Sequence, residues 1–321
     1  MKSISAAALI KTVPCLSISL IYGSEYLDKC NILSSRVQRP GLALAGYFDH
    51  IRPNRVQLFG ETELNFLQTL PEKRQEEVID TLAQRSGSLF VVSKKLPAPA
   101  PLLKATERYK IPVVITEQTT VQTKNEISYC LDYALAPETV MHGVCMEVCG
   151  LGVVILGKSG IGKSECALEL VKNGHRLVAD DIIYIKRRRH YVVGTSDELL
   201  CGYIELRGVG ILNLSDMFGI AAIRRRKRID LVINFMTFDE WKQQGDVDRA
   251  GLSDKTINIL EVEVPHILFP VSPGRNMAEI VELAAKNQIL KLMGHNSSKT
   301  FTDKIQMQIE NKRDNGGCAD V

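Results

Sequence analysis

The sequence predicts an α/β protein: a small N-terminal α/β domain, then a P-loop-containing α/β domain that ends in a helix. Strand-like and helix-like segments alternate over residues 1–130 in a βαβ rhythm. A G-x-x-x-x-G-K-S run at Gly157–Ser164 stands between an apolar run and a segment of helical spacing. An amphipathic segment, Met277–Leu292, follows near the end.

Taken in order, residues 1–22 read as the opening strand of a folded domain, with Leu16–Tyr22 at its heart. Arg39-Pro40-Gly41 is a turn, and Leu42–Phe48 is a second apolar run. Arg55–Phe59 alternates apolar and polar, as a half-buried strand does. Glu61–Gln68 and Pro71–Arg85 have helical spacing, with Leu64, Phe66, Leu67, Val78, Ile79 and Leu82 as the apolar positions. Leu89–Val92 is a buried strand, and Pro97, Pro99 and Pro101 make an extended loop. Leu102–Tyr109 is a short helix and Ile111–Ile115 another strand. A boundary near Glu126–Pro137 gives domains of 1–132 and 133–321, the first without a catalytic signature and of regulatory or assembly role.

The second domain opens with strands in Thr139–Val148 and Gly150–Leu156, a helix at Glu165–Gly174 and a strand at Leu177–Ala179. Short β segments follow at Ile182–Lys186, Tyr191–Gly194, Tyr203–Arg207 and Asp230–Phe235. Met277–Leu292 presents Ile280, Leu283, Ala284, Ile289, Leu290 and Met293 at helical spacing. Asn296–Val321 is a polar, frayed helical tail.

The bulk properties set limits. A chain of 321 residues has room for two ordinary domains. With 45% hydrophobic and 24% charged residues it can bury a full core without disulfide or metal staples. A net charge of +3 implies no polyanionic partner. The eight cysteines form no C-x-x-C pair, and Cys145 and Cys149 lack further ligands for zinc, so they read as core thiols in a reducing compartment. No stretch approaches the roughly 20 apolar residues of a membrane span. Lys11 and Pro14 interrupt the N-terminal apolar run, and no clean cleavage site follows. A cytoplasmic protein is expected.

The chemistry centres on Gly157-Lys158-Ser159-Gly160-Ile161-Gly162-Lys163-Ser164. Val153–Leu156 feeds it as a buried parallel strand should, and Gly174 sits where the following helix would be capped. Glycines let backbone N–H groups face phosphates with no Cβ in the way. The helix start adds its positive dipole end. Lys163 is placed to reach the β- and γ-phosphates and Ser164 to bind Mg²⁺, so ATP and Mg²⁺ are the expected ligands. Downstream, Leu177-Val178-Ala179 ends in Asp180-Asp181. Two adjacent carboxylates suit divided duties, one helping to hold a metal and one accepting a proton from an attacking hydroxyl. An Asp-Asp turn between strands is the plainer alternative. His142, just ahead of the strand that feeds the loop, reads first as a structural residue and only second as a functional one.

Together these residues resemble the HPr kinase/phosphorylase family. The resemblance includes Met141-His142-Gly143, Gly157–Ser164 followed by Glu165, and Asp180-Asp181. It extends to Ile204-Glu205-Leu206-Arg207-Gly208-Val209-Gly210-Ile211-Leu212-Asn213, to Asp248-Arg249-Ala250-Gly251 and to Pro270-Val271-Ser272-Pro273-Gly274-Arg275-Asn276. In the first half it covers Arg39–Phe48 and Arg55–Gly60. It implies a bifunctional cytoplasmic homohexamer that governs carbon use. Such an enzyme phosphorylates a serine of the phosphocarrier protein HPr with ATP or pyrophosphate, and removes that phosphate by phosphorolysis, giving pyrophosphate. Carried over, Gly157–Ser164 binds nucleotide, Lys163 contacts phosphate, and Ser164 and Glu205 bind Mg²⁺. Asp181 is the base in the forward direction and the acid in reverse. His142 and Arg249 complete the site, Ile204–Asn213 serves both reactions, and Pro270–Arg275 serves dephosphorylation. Family members usually carry a basic residue where Ser272 stands, so a kinase with weakened phosphorylase activity is expected.

Two basic runs, Lys186-Arg187-Arg188-Arg189 and Arg224-Arg225-Arg226-Lys227-Arg228, read first as solvated hairpin and loop charge. A docking or subunit-contact surface for acidic groups is the next reading. Nucleic acid is the weakest, because nothing aromatic interleaves the charges. Two other classes of function stay open: a small-molecule kinase with the same loop, and a non-catalytic nucleotide-sensing module.

Overall fold

The computed structural model describes residues 2–243, 255–272 and 274–315. The chain divides into two compact units, Met1–Ala136 and Pro137–Val321. In the first, strands β1 (Ile18–Tyr22), β2 (Val56–Phe59), β3 (Leu89–Val92) and β4 (Val113–Thr116) form one sheet in the order β1-β4-β3-β2. β2, β3 and β4 run parallel and β1 antiparallel. Helices α1 (Glu61–Thr69) and α2 (Glu72–Ser86) connect β2 to β3, α3 (Ala100–Tyr109) connects β3 to β4, and α4 (Thr120–Ala134) follows.

Both faces of this sheet are covered. Phe59, Phe90 and Val113 enter one buried cluster, while Val56, Leu58, Leu89 and Val91 enter another. Arg55–Phe59 is therefore not half-buried: Val56–Phe59 is buried throughout. Parallel strands carry helices on both sides, so alternation in the sequence does not mean a wet face. The polar exception, Gln57, donates from its amide to Gln38 at 3.3 Å.

The chain ahead of β1 also departs from the expected strand. Ala6–Thr12 is a helix, because its alanines favour helix and the Ser5 hydroxyl caps it by accepting from the Ala8 N–H at 3.2 Å. The run at Leu42–Phe48 likewise begins in a short helix, Gly41–Leu44. Arg39 holds this turn with two bonds to Glu63, at 2.9 and 3.0 Å, and that carboxylate also accepts from the Gly60 N–H at 3.0 Å.

In the second unit come β5 (Glu138–His142), β6 (Val144–Val148), β7 (Leu151–Leu156), α5 (Lys163–Lys172), β8 (Arg176–Ala179), β9 (Ile182–Arg188) and β10 (Tyr191–Thr195). There follow β11 (Tyr203–Leu206), β12 (Gly210–Asn213), β13 (Arg226–Arg228), β14 (Leu231–Thr237) and α6 (Phe238–Gln243). Last are β15 (Thr256–Ile259), β16 (Val262–Val271), α7 (Met277–Leu292) and α8 (Ser297–Asn315). A six-stranded sheet has the order β8-β6-β7-β14-β16-β15, with β7, β14 and β16 parallel. β8 is antiparallel to β6, and β6 to β7, so β8 points the same way as β7. A smaller antiparallel sheet runs β13-β10-β9-β5, and β11 with β12 forms a hairpin.

The apolar run before the loop is continuous because β7 is buried on both sides. Val153 and Ile155 face the cluster that includes Cys166, Leu170 and Val281. Val154 faces the cluster of Val178, Ile183 and Val192. α7 has the expected bounds but another buried face. Ala278, Val281 and Ala285 are buried, while Leu283 is 58% exposed and Met293 70%. Small residues let the helix lie close against α5 and the sheet, and they outcompete the larger side chains for that contact.

The basic runs are more structured than loop charge. Arg226–Arg228 is a strand. Lys227 and Arg224 reach Glu147 at 3.1 and 3.5 Å, and Arg228 reaches Asp230 at 2.9 Å. Lys186 pairs with Glu138 at 3.4 Å, and Arg187 pairs with Glu261.

Candidate active site

The loop leaves the carboxyl end of β7 and ends at the first turn of α5. Its glycines are required by conformation, all three having positive φ, and Gly157 by space as well. Gly157 has φ +145°, and a Cβ there would lie 2.6 Å from the Phe235 carbonyl oxygen. Gly160 has φ +80°, and its Cβ would lie 2.8 Å from the Arg207 guanidinium. Lys163 folds across the loop, its Nζ donating to the carbonyls of Gly157 at 2.9 Å and Lys158 at 3.0 Å. An arriving polyphosphate would compete for that ammonium with charge-assisted bonds, which are the stronger kind.

At the α5 end three elements converge on one carboxylate. The Ser164 hydroxyl donates to Asp180 Oδ1 at 3.1 Å, and the Glu205 backbone N–H donates to Asp180 Oδ2 at 3.1 Å. These residues come from α5, the end of β8, and β11. Burial pushes the Asp180 carboxyl up, opposed by the bonds from Glu205 and Ser164.

Asp181 is held by backbone. Its φ is +64°, and the Ile182 N–H donates to the Asp180 carbonyl at 2.8 Å, closing a γ-turn around it. Its own carbonyl accepts from the Gly143 N–H at 3.0 Å, while Ile182 pairs with His142 in the ladder of β9 and β5. His142 and Asp181 therefore stand together at adjoining strand ends, with His142 exposed. The β11–β12 hairpin reaches over the loop, and Arg207 donates to Ser159 Oγ at 2.9 Å. On the loop's other flank Lys158 pairs with Glu240 of α6.

The predicted residues Gly157–Ser164, Asp181, His142, Glu205 and the Ile204–Asn213 hairpin are thus assembled around one end of the sheet. Pro270 and Val271 end β16 at the same carboxyl edge, in register with Met236 and Thr237 of β14. Arg249, with Asp248–Gly251, and Pro273 lie outside the described residues. Three contacts escaped sequence reading. The Asp-Asp pair gave no sign that Asp180 would be the residue holding Ser164, and no motif links Arg207 to Ser159 or Glu240 to Lys158. No helix among the described residues is long and apolar enough to cross a membrane.

Comparison with known proteins agrees over almost the whole chain. Residues 4–131 match the family model described as HPr Serine kinase N terminus, and residues 133–305 match HPr Serine kinase C-terminal domain. The HPr kinase/phosphorylase of Geobacter sulfurreducens is 44% identical, covering 87% of each chain. That of Bacillus subtilis is 41% identical, covering 92% of this chain and 94% of its own. A solved Hpr(Ser) kinase/phosphatase from Coxiella burnetii is 33% identical over 51% of this chain and 98% of its own, with a TM-score of 0.45.

Proposed function

The chain belongs to the HPr serine kinase family, and on that premise we propose that it transfers a phosphoryl group from ATP or pyrophosphate to a serine of the phosphocarrier protein HPr. The reverse reaction is phosphorolysis of phosphoserine-HPr by inorganic phosphate, giving pyrophosphate. The observation that carries this reading is the convergence of Ser164, Asp180 and Glu205 beside Asp181 at the end of a phosphate-binding loop.

The residues divide the work. Backbone amides of Gly157–Ser164 cradle phosphate, and Lys163 exchanges its two carbonyl partners for phosphate oxygens. Ser164, Glu205 and Asp180 offer only oxygen donors, which suits Mg²⁺. Among the described residues no group of three or more His, Cys, Asp or Glu could hold a metal alone, so the ion would be shared with phosphate oxygens, as Mg²⁺ commonly is. When bound, it would neutralise charge building on the transferred group. Asp181 takes the serine proton as the oxygen attacks phosphorus and the bond to the leaving phosphate breaks. In reverse it returns that proton to the serine oxygen, by microscopic reversibility. His142 would add a proton or positive charge to the same centre, and Arg249 would add positive charge only. The N-terminal unit serves regulation or assembly of a cytoplasmic homohexamer, and the enzyme's setting is carbon regulation.

Incubation with labelled ATP, Mg²⁺ and purified HPr tests the proposal, with label expected on a serine of HPr. Transfer only to a small molecule in the absence of HPr would establish the small-molecule kinase instead. A second expectation follows from Ser272, which stands after β16 where the family resemblance implies a basic residue. Ser272→Arg should raise pyrophosphate release from phosphoserine-HPr several-fold and leave the forward rate within about twofold. Unchanged release would remove residue 272 from the account of phosphorolysis.

A further inference from the structure

The phosphate loop has two flanks, and the carboxylates given metal-binding and proton-transfer roles so far lie on one of them. Asp180 and Asp181 close β8, which lies on the β6 side of β7. On the opposite side β14 runs parallel to β7 with Asn234 paired to Leu156, so the residues after Asn234 extend past the point where the loop begins. A cavity of about 430 Å³ opens there, lined by Gly157, Lys158, Asn234, Met236, Glu240 and Gln243.

We propose that this cavity receives the nucleoside half of the phosphoryl donor, a base with its ribose; the assignment rests on the kinase reading above. A polyphosphate gripped by the loop has two ends. The end that reacts must face Asp181, so the other end leaves toward the β14 flank. The cavity sits at the carboxyl ends of parallel strands, where open α/β sheets bind their ligands. Its volume lies in the lower part of the range of small-molecule sites.

Its lining discriminates between a nucleoside and more phosphate. Glu240 places a carboxylate in the wall, and its bond to Lys158 holds that carboxyl below its usual range, so it stays ionised. A phosphate entering here would meet a like charge. Ribose hydroxyls and an exocyclic amino group are neutral donors that a carboxylate accepts well. The same ion pair draws the Lys158 ammonium toward the wall. Asn234 and Gln243 each supply an amide able to donate and accept, and Met236 adds a polarizable surface for a ring.

The test compares ATP with inorganic tripolyphosphate, which keeps the three phosphates and lacks the nucleoside. Each is titrated with Mg²⁺ into the full-length protein by calorimetry. The variant is Gln243→Trp, a change at an exposed position that fills the cavity mouth. Wild type should bind ATP at least tenfold more tightly than tripolyphosphate, and Gln243→Trp should bring ATP to the level of tripolyphosphate. Unaltered tripolyphosphate affinity reports that the variant has folded with its loop intact. Equal affinity of wild type for both ligands, or a variant that keeps the full preference for ATP, overturns the assignment. A protein that binds ATP in this manner yet never phosphorylates HPr would instead refute the proposed function and leave the cavity's ligand standing.

Discussion

Asp181→Asn is expected to lower the rate of phosphoryl transfer to HPr by roughly 10²–10⁴-fold, the usual contribution of a general base, and to leave ATP affinity within about twofold of wild type. Asn is the informative replacement because of the backbone. Residue 181 sits at φ +64°, a region that Asn and Asp enter more readily than other residues with a side-chain Cβ. The bonds that hold the turn use main-chain carbonyls, those of Asp180 and Asp181, and survive the change. A lost rate would therefore report lost proton transfer. Asp181→Ala should lose as much rate but also melt earlier, since Ala enters the positive-φ region less readily than Asp or Asn. Single-turnover transfer from labelled ATP, with calorimetric ATP binding alongside, separates the two effects. An Asn variant within about threefold of the wild-type rate would dismiss Asp181 as the base. Regulatory function undiminished in such a variant would favour the nucleotide-sensing module.

The parts legible in the sequence were those whose physics is local. Eight consecutive residues specify the phosphate loop, because its glycines, its lysine and its serine each answer a demand made within one turn of backbone. Asp180-Asp181 was legible as a pair for the same reason, but the division between the two was not. It depends on the Glu205 N–H, delivered by a hairpin that begins more than twenty residues later. The buried face of α7 was illegible because apolar residues occur on most of its circumference. Periodicity then cannot choose between Leu283 and Ala285, and the closeness of approach to α5 decides. Gln57 misled in the opposite sense: a polar residue in an alternating run is an ordinary sign of solvent, and only the helices on both faces of the sheet bury it. The hold of Arg207 on Ser159 spans 48 residues and has no local signature at all.

Asp180→Asn is expected to move two measurements in opposite directions. In the protein without ligands, burial raises the Asp180 carboxyl above its ordinary value, so the native state binds this proton more strongly than the unfolded chain does. Stability from this group is then fully present below about pH 3.9, the unfolded value, and falls as pH rises through the higher folded value. As pH rises the buried carboxylate becomes a liability, and Asn removes it: its one amide oxygen can still accept from the Glu205 N–H, and its NH2 can donate to the Ser164 hydroxyl. The variant should melt above wild type at pH 7, with the gap closing toward pH 4. With Mg²⁺ and ATP the order should reverse. The same desolvated charge that weakens the empty fold is available to a cation, and its loss should weaken Mg²⁺-dependent binding and turnover by roughly 10–100-fold. Melting curves across pH, with and without Mg²⁺ and ATP, together with the Mg²⁺ dependence of transfer, read both halves. A variant that melts with wild type at pH 7 and keeps its Mg²⁺ response would make Asp180 merely a brace between Ser164 and Glu205, and would leave Glu205 to hold the ion with the serine alone.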